Sequence, residues 1–213
     1  MRSDLPGDVI AVVMAAGQGR RFGADKRHHR LEDGRTLLAT TLDNVSPAYP
    51  RVYVLTRPGE TSASLGIDYR NEVEVSTPTG APAAETTRFE CVEAISAMQG
   101  LGGSLGDAFR HLQAIEEPAM AAAVILGDMP WLEATLCQQL SAEAKPKAIV
   151  MPRFAGRGGH PVVFGRTFWG ALATLTDGEG ARDIVNRHSA ARHWVDVETP
   201  SIWRDVDRRG DLD

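Results

Sequence analysis

Cysteine is scarce in this chain. Cys91 and Cys137 are the whole supply, and they stand alone, with no C-x-x-C spacing. No disulfide framework can be read from them, and they look like reduced structural residues of a cytoplasmic protein. Long apolar runs are missing too. Residues 9–16 are too short and too soon followed by charge to be a signal or a membrane span, and residues 1–8 have no apolar targeting core. Positive charge is in deficit: the net charge is −5 and the isoelectric point about 5.7. That weighs against a general nucleic-acid binder, which shows a basic patch and a high isoelectric point. No internal repeat, low-complexity tract or inter-domain linker interrupts the 213 residues, so a single domain over 1–213 is expected. With 43% hydrophobic and 24% charged residues, the chain can build a sizeable core.

What is present is concentrated in one stretch, Met14-Ala-Ala-Gly-Gln-Gly-Arg-Arg-Phe-Gly-Ala-Asp-Lys26. It follows an apolar run, residues 9–14, with the composition of a buried parallel strand. A glycine-rich turn after such a strand brings backbone N–H groups close to an anion, and Arg20, Arg21 and Lys26 add charge. Two common phosphate loops fail on spacing. A dinucleotide fingerprint needs a third glycine where Phe22 stands, and a Walker loop needs a glycine at that same place with a lysine directly after it.

Farther along, residues 36–45 recur apolar at helical spacing, with Thr36 placed to cap them and Ser46-Pro47 to end them. Residues 51–55 read as a second strand, completing a βαβ unit. The polar residues 27–33 are expected on the far side of the loop, where the adjacent His28 and His29 do not share a face for a metal. Residues 57–88 carry no assignable chemistry, though a short strand over 72–75 fits. The run 89–95 is ambiguous, with strand favoured. A second small-residue turn, Gly100-Leu-Gly-Gly-Ser-Leu105, precedes an expected helix over 106–116. Such a turn offers free N–H groups and the Ser104 hydroxyl, or simply a helix cap by Ser104.

Residues 121–126 form the clearest buried strand and end in Gly127-Asp128-Met129-Pro130. A carboxylate at the carboxyl end of a central parallel strand lies where open α/β sheets bind ligands. Asp128 is thus the best single candidate for a Mg²⁺ ligand, with capping of the next helix, near 133–144, as the plainer alternative. A strand over 148–151, helices over 168–175 and 181–186 around a polar turn at 177–180, and an edge strand over 193–197 complete the expected elements.

Taken together, A-A-G-x-G-x-R-x-G-x-x-K, L-G-D-M-P and G-H-P-V-V-F resemble the MobA-like NTP transferases, and are most similar to the molybdenum cofactor cytidylyltransferases and guanylyltransferases. The resemblance spans nearly the whole chain apart from 57–88. It implies an α/β, single-domain, Rossmann-like, mostly parallel sheet with helices on both faces, of the nucleotide-diphospho-sugar transferase type. A nucleotide-binding half over 9–130 and an acceptor-binding half over 148–213 are expected. It implies transfer of a nucleoside monophosphate from an NTP to a phosphorylated acceptor. Ala15, Ala16, Gly17, Gly19, Arg20, Lys26, Gly103 and Ser104 would bind nucleotide; Gly103 departs from the serine of the pattern. Lys26, Arg20 and Asp128 would carry the chemistry. Asp128 and Asp207 would hold Mg²⁺, although Arg208-Arg209-Gly210 departs from the T-P-x of relatives. Asp205 is expected to point away, because strand side chains alternate. His160 and Arg157, with Arg153 nearby, would meet the acceptor phosphate.

In this resemblance A-A-G favours CTP, because guanylyl-transferring relatives tend to carry a glycine where Ala16 stands. Molybdopterin is the first acceptor to consider, with a sugar phosphate, a polyol phosphate or phospholactate as alternatives, and a molybdoenzyme as an implied partner. Nucleic acid and membrane are not expected partners. Two other classes stay open: a nicotinamide-linked oxidoreductase, against which the missing third glycine counts, and a non-catalytic maturation factor for a molybdenum enzyme. Joint retention of Lys26, Asp128 and Asp207 counts against the latter.

Overall fold

A computed structural model describes residues 8–19, 21–67, 87–176 and 178–212. Among these residues eight strands form one sheet: β1 Val9–Met14, β2 Arg51–Thr56, β3 Arg88–Glu93, β4 Ala121–Leu126, β5 Ile149–Phe154, β6 Arg157–Gly158, β7 Val162–Gly165 and β8 Arg192–Asp196. Among the described residues five α-helices pack on it: α1 Leu37–Val45, α2 Leu101–Ala114, α3 Ala134–Ala142, α4 Trp169–Ala173 and α5 Ala181–Arg187.

β1 is buried along its whole length and runs parallel to β2 on one side and β4 on the other, with Val12 opposite Tyr53 and Val124. β3 extends this parallel set beyond β2. β7 then runs antiparallel to both β4 and β5. Ile149 pairs with Phe164 of β7 and with Arg192 of β8, so parallel β8 closes the edge on the side of β5 opposite β7. The sheet is therefore mostly parallel, in agreement with the expected fold class.

Alternation along β1 explains why helices are needed on both faces. Ala11 and Val13 join Leu38, Leu42, Leu136 and Leu140 of α1 and α3 in one core. Ile10, Val12 and Met14 join Phe109, Trp169, Leu172 and Ile184 of α2, α4 and α5 in the other. A strand covered on both sides has no polar face to show, hence the unbroken apolar run.

Local chemistry sets most boundaries. Thr36 caps α1, its hydroxyl accepting from the Ala39 amide at 3.2 Å, and Pro47 follows the helix end. The ambiguous run near 89 is a strand. The expected strand over 72–75, the N-terminal residues 1–7 and Asp177 lie outside the described residues. One expectation is corrected. α2 starts at Leu101 rather than at 106, so Gly103 and Ser104 belong to its first turns and not to a loop. Gly100 is the cap residue, and the Ser104 hydroxyl donates to the Gly100 carbonyl at 3.3 Å inside the helix. The glycines there serve close packing: a Cβ on Gly102 would stand 2.0 Å from the Glu179 carbonyl oxygen. Poor helix formers are tolerated because backbone meets backbone at that point.

Candidate active site

The loop after β1 is shaped by two residues. Gly19 has φ +59°, and a Cβ there would lie 2.7 Å from the Ala24 carbonyl oxygen, so only glycine fits. Phe22, the residue that spoils the other two phosphate fingerprints, turns inward. Its amide donates to the Gly19 carbonyl at 2.9 Å, and its ring is buried with Leu37 and Val206. The chain then doubles back, and Lys26 returns to the carboxyl ends of β1 and β4.

There Lys26 Nζ touches Asp128 Oδ2, donates to the Val206 carbonyl at 2.8 Å, and lies 3.4 Å from Asp207 Oδ1. Arg21 pairs with the other Asp207 oxygen at 2.7 Å. Asp205 is not turned away. Asp128, Asp205 and Asp207 each offer a carboxylate oxygen within 4.8 Å of the others. Strand alternation does not apply, because residues 205–207 do not form a strand: the Val206 amide donates to the Asp128 carbonyl at 2.9 Å, and the buried Val206 side chain anchors the segment.

The electrostatics divide the acids. Burial pushes the Asp128 carboxyl above its usual range, with the charge of Asp205 adding to the effect and Lys26 opposing it. Burial acts the same way on Asp207, but Arg21 and Lys26 outweigh it and hold that carboxyl below its usual range. Asp128 Oδ1 is buried without a partner among the described residues. An orphaned buried oxygen beside two further carboxylates suits a hard divalent cation, which binds through oxygen.

These groups open onto a cavity of about 530 Å³. Of the residues singled out from sequence, Ala15, Ala16, Gly17, Gly19, Lys26, Ser104, Asp128 and Asp207 line it. Met98 and Leu101 form its exposed apolar lip. Arg20 lies outside the described residues, and Gly103 is buried within α2 away from the lining. His160 and Arg157 are not brought to the cavity. The His160 Nδ1 is buried and unpartnered among the described residues, and burial holds its imidazole below its usual pKa, against the Val124 backbone and the charges of Asp205 and Asp128. Arg157 lies over the Trp203 ring at 4.7 Å, and Arg153 pairs with Asp196 at 2.7 Å.

Sequence reasoning missed Asp205 and the true place of Arg27. Arg27 was expected on the polar far side of the loop, yet it is only 4% exposed. Its guanidinium pairs with Asp25 and Glu60, both at 2.6 Å, and donates to the Ala15 carbonyl at 2.9 Å. Asp25, two residues earlier, was a local signal for the first pairing. Nothing local pointed to Glu60.

A glycine loop after the first strand, a lysine brought back to the sheet, and acids facing it from β4 and the C-terminal segment are the layout of a nucleotidyltransferase. The chain belongs to the MobA-like NTP transferase domain family, whose model matches residues 11–192. Among solved structures it is similar to Rv0371c from Mycobacterium tuberculosis, with 23% identity, TM-score 0.71, and coverage of 96% of this chain and 95% of that one. That protein has also been solved as a manganese complex, at 22% identity, TM-score 0.66, and coverage of 96% and 95%. It is similar too to 4-diphosphocytidyl-2C-methyl-D-erythritol synthase from Anaerococcus prevotii, at 13% identity, TM-score 0.70, and coverage of 97% and 93%. Molybdopterin-guanine dinucleotide biosynthesis protein A from Archaeoglobus fulgidus matches at 16% identity, TM-score 0.60, and coverage of 95% and 94%. At these identities the structures speak for the fold alone. A comparison with curated proteins finds no match. No helix among the described residues is long and apolar enough to cross a membrane.

Proposed function

We propose that the protein is a Mg²⁺-dependent nucleotidyltransferase that moves CMP from CTP to a phosphorylated acceptor, with molybdopterin the first acceptor to test. The observation that carries this reading is the convergence of Lys26, Asp128, Asp205 and Asp207 on one cavity walled by the glycine loop. An acceptor phosphate oxygen attacks the α-phosphorus, the bond to the β-phosphate oxygen breaks, and pyrophosphate leaves with the electron pair. No enzyme nucleophile is required, so the protein's task is to place the reactants and offset developing charge. In this scheme Lys26, with Arg20 from the same loop, takes the charge growing on the α,β-phosphates. Asp128 and Asp207 would hold the Mg²⁺, and Asp205 would add a third carboxylate. A bound Mg²⁺ supplies charge neutralisation and a fixed orientation of the phosphate oxygens.

CTP is favoured because Ala16 lines the cavity as a buried methyl group, at the place where the resemblance implies a glycine in guanylyl-transferring relatives. One methyl group discriminates by only ~1–3 kcal/mol, so GTP is the competitor to test directly. The cytidyl product named for the Anaerococcus protein and the guanine product named for the Archaeoglobus protein mark the same two choices. The manganese complex of Rv0371c supports a divalent ion in this fold. His160 and Arg157 belong to the acceptor side only if the acceptor reaches beyond the cavity described above.

The test is a thermal-shift series with CTP, GTP, ATP and UTP, each with and without Mg²⁺, followed by pyrophosphate release with molybdopterin. A ligand at ~100 times its dissociation constant stabilises by about 2.7 kcal/mol. A Mg²⁺-dependent shift with CTP alone is the expected result. A shift with GTP alone would reverse the base assignment. No shift with any nucleotide would favour a non-catalytic maturation role.

A further inference from the structure

Arg57 stands directly after β2, at the start of a segment that the family motifs do not cover, and does not line the cavity. It nevertheless reaches the signature loop. Its Nη2 donates to the Gly17 carbonyl, its Nε to the Ala16 carbonyl at 3.4 Å, and its Nη1 to Asp25 at 2.8 Å. Its own amide donates to Glu60 at 2.8 Å. Arg27, beneath it, binds the same two acids and the Ala15 carbonyl. Three successive carbonyls of the loop are thus drawn toward two guanidinium groups.

We propose that Arg57 is a positioning residue, which turns the Ala16 and Gly17 carbonyls out of the cavity so that the amides beyond them face a triphosphate. The inference rests on the nucleotidyltransferase reading given above. Its geometry follows from the peptide unit. These peptide bonds are trans and planar, so the carbonyl and the next residue's N–H point in opposite directions. A carbonyl held by Arg57, which is not part of the cavity lining, therefore sends the following amide, of Gly17 or Gln18, the other way. Ala16, Gly17 and Gln18 all line the cavity. Successive amides aimed into one hollow make an anion site without any side-chain charge.

The charge count supports a positioning role over direct phosphate binding. Arg27 and Arg57 are matched by Asp25 and Glu60 in one closed network, so neither cation is left over for a ligand. Arg27 is the wrong place to test this. Arg27 is itself buried, at 4% exposure, and holds both acids at 2.6 Å, so its removal threatens the fold. Arg57 is the informative place, because Asp25 and Glu60 both keep Arg27 when Arg57 is gone.

The experiment compares the wild type with Arg57→Met and Arg57→Lys in the full chain. Calorimetry measures binding of CTP and of inorganic tripolyphosphate with Mg²⁺. Electron paramagnetic resonance measures Mn²⁺ binding at the acidic cluster without nucleotide. Steady-state kinetics separates KM from kcat. The methionine variant is expected to lose about tenfold or more in affinity for both CTP and tripolyphosphate, by the same factor, as for losing hydrogen bonds to a charged ligand. Mn²⁺ binding should stay at the wild-type value, KM should move more than kcat, and lysine should restore part of the loss. If the methionine variant does not fold, Arg57→Gln carries the same comparison. Unchanged tripolyphosphate affinity overturns the proposal, and so does a parallel loss of Mn²⁺ binding, which marks general damage to the site. If the wild type itself binds neither tripolyphosphate nor any NTP, the nucleotidyltransferase reading fails first.

Discussion

Lys26 Nζ rests on Asp128 Oδ2, so the cation that the sequence assigns to phosphate is seated among the carboxylates. Asp207 and the Val206 carbonyl complete its surroundings at 3.4 and 2.8 Å. An ammonium group in that place and a divalent ion compete for the same oxygens. Lys26→Met should therefore do two opposite things. Turnover should fall by about a hundredfold or more, as for removal of one electrostatic stabiliser of the reaction. Affinity for Mn²⁺ in the absence of nucleotide should rise, because Asp128 loses its ammonium partner and Asp207 keeps only Arg21. Kinetics and paramagnetic resonance on the same preparation measure both. A variant that loses turnover but binds Mn²⁺ less well would show that the lysine supports the metal site instead of occupying it.

Asp205 separates this site from a two-carboxylate one. It shares the 4.8 Å cluster with Asp128 and Asp207, and its charge helps push the Asp128 carboxyl upward. Asp205→Asn should weaken Mg²⁺ activation by about tenfold or more, on the scale of perturbed metal-site partners. The nucleotide KM at saturating Mg²⁺ should change less. The measurement is a Mg²⁺ titration of initial rate for wild type and variant. Equal activation curves would leave Asp205 a bystander.

The sequence was most legible where one physical period governs. The run of apolar residues in β1 and β4 needs burial on both faces, which places the Gly17 loop and Asp128 at the ends of buried strands; that the two strands are neighbours comes from the structure. Periodicity was silent where geometry depends on distant partners. Asp205 was misplaced because alternation was applied to a segment held by Val206, not by strand pairing. Gly103 and Ser104 looked like a turn opening a helix because glycine usually marks a turn, but Gly102 is there to let α2 approach the Thr176 and Glu179 carbonyls. Arg27 looked solvated because its partner Glu60 is far away in sequence. His160 carried a motif, and a motif does not say whether a ring faces the cavity or the interior.

Asp25 gives the loop a pH dependence. Burial opposes its ionisation, but Arg27 and Arg57 outweigh burial and hold its pKa at about 2, below the ordinary 3.8. A carboxyl whose folded pKa is depressed contributes stability above its unfolded pKa and loses it as pH falls toward the folded one. The wild type should therefore lose stability between about pH 4 and pH 2 in part through Asp25. Glu60, lowered for the same reason against the same burial, adds to the slope. Asp25→Asn should be less stable at neutral pH and show a shallower decline over this window. Urea midpoints at several pH values read it directly. An unchanged slope would mean that the unfolded chain keeps the Asp25–Arg27 pair.

Two glycines make opposite predictions, and together they separate folding from ligand binding. A Cβ on Gly102 would stand 2.0 Å from the Glu179 carbonyl oxygen and 2.7 Å from that of Thr176, both backbone atoms that cannot swing aside. Gly102→Ala should therefore lower stability by roughly 1–3 kcal/mol, the range for overpacking, and shift the urea midpoint accordingly. A Cβ on Gly17 meets nothing within 4 Å, and its φ is not in the left-handed region. Gly17→Ala should fold with a near-wild-type midpoint, since an uncrowded substitution stays within ~0.5 kcal/mol. Yet Gly17 lines the cavity, so its new methyl group enters the space that a triphosphate would occupy. CTP binding by calorimetry should weaken in the Gly17 variant while its unfolding curve stays put. If both variants unfold early, the loop has a structural role that the open space around Gly17 does not reveal. If Gly17→Ala binds CTP normally, the triphosphate lies elsewhere in the cavity, and the role given to this turn fails.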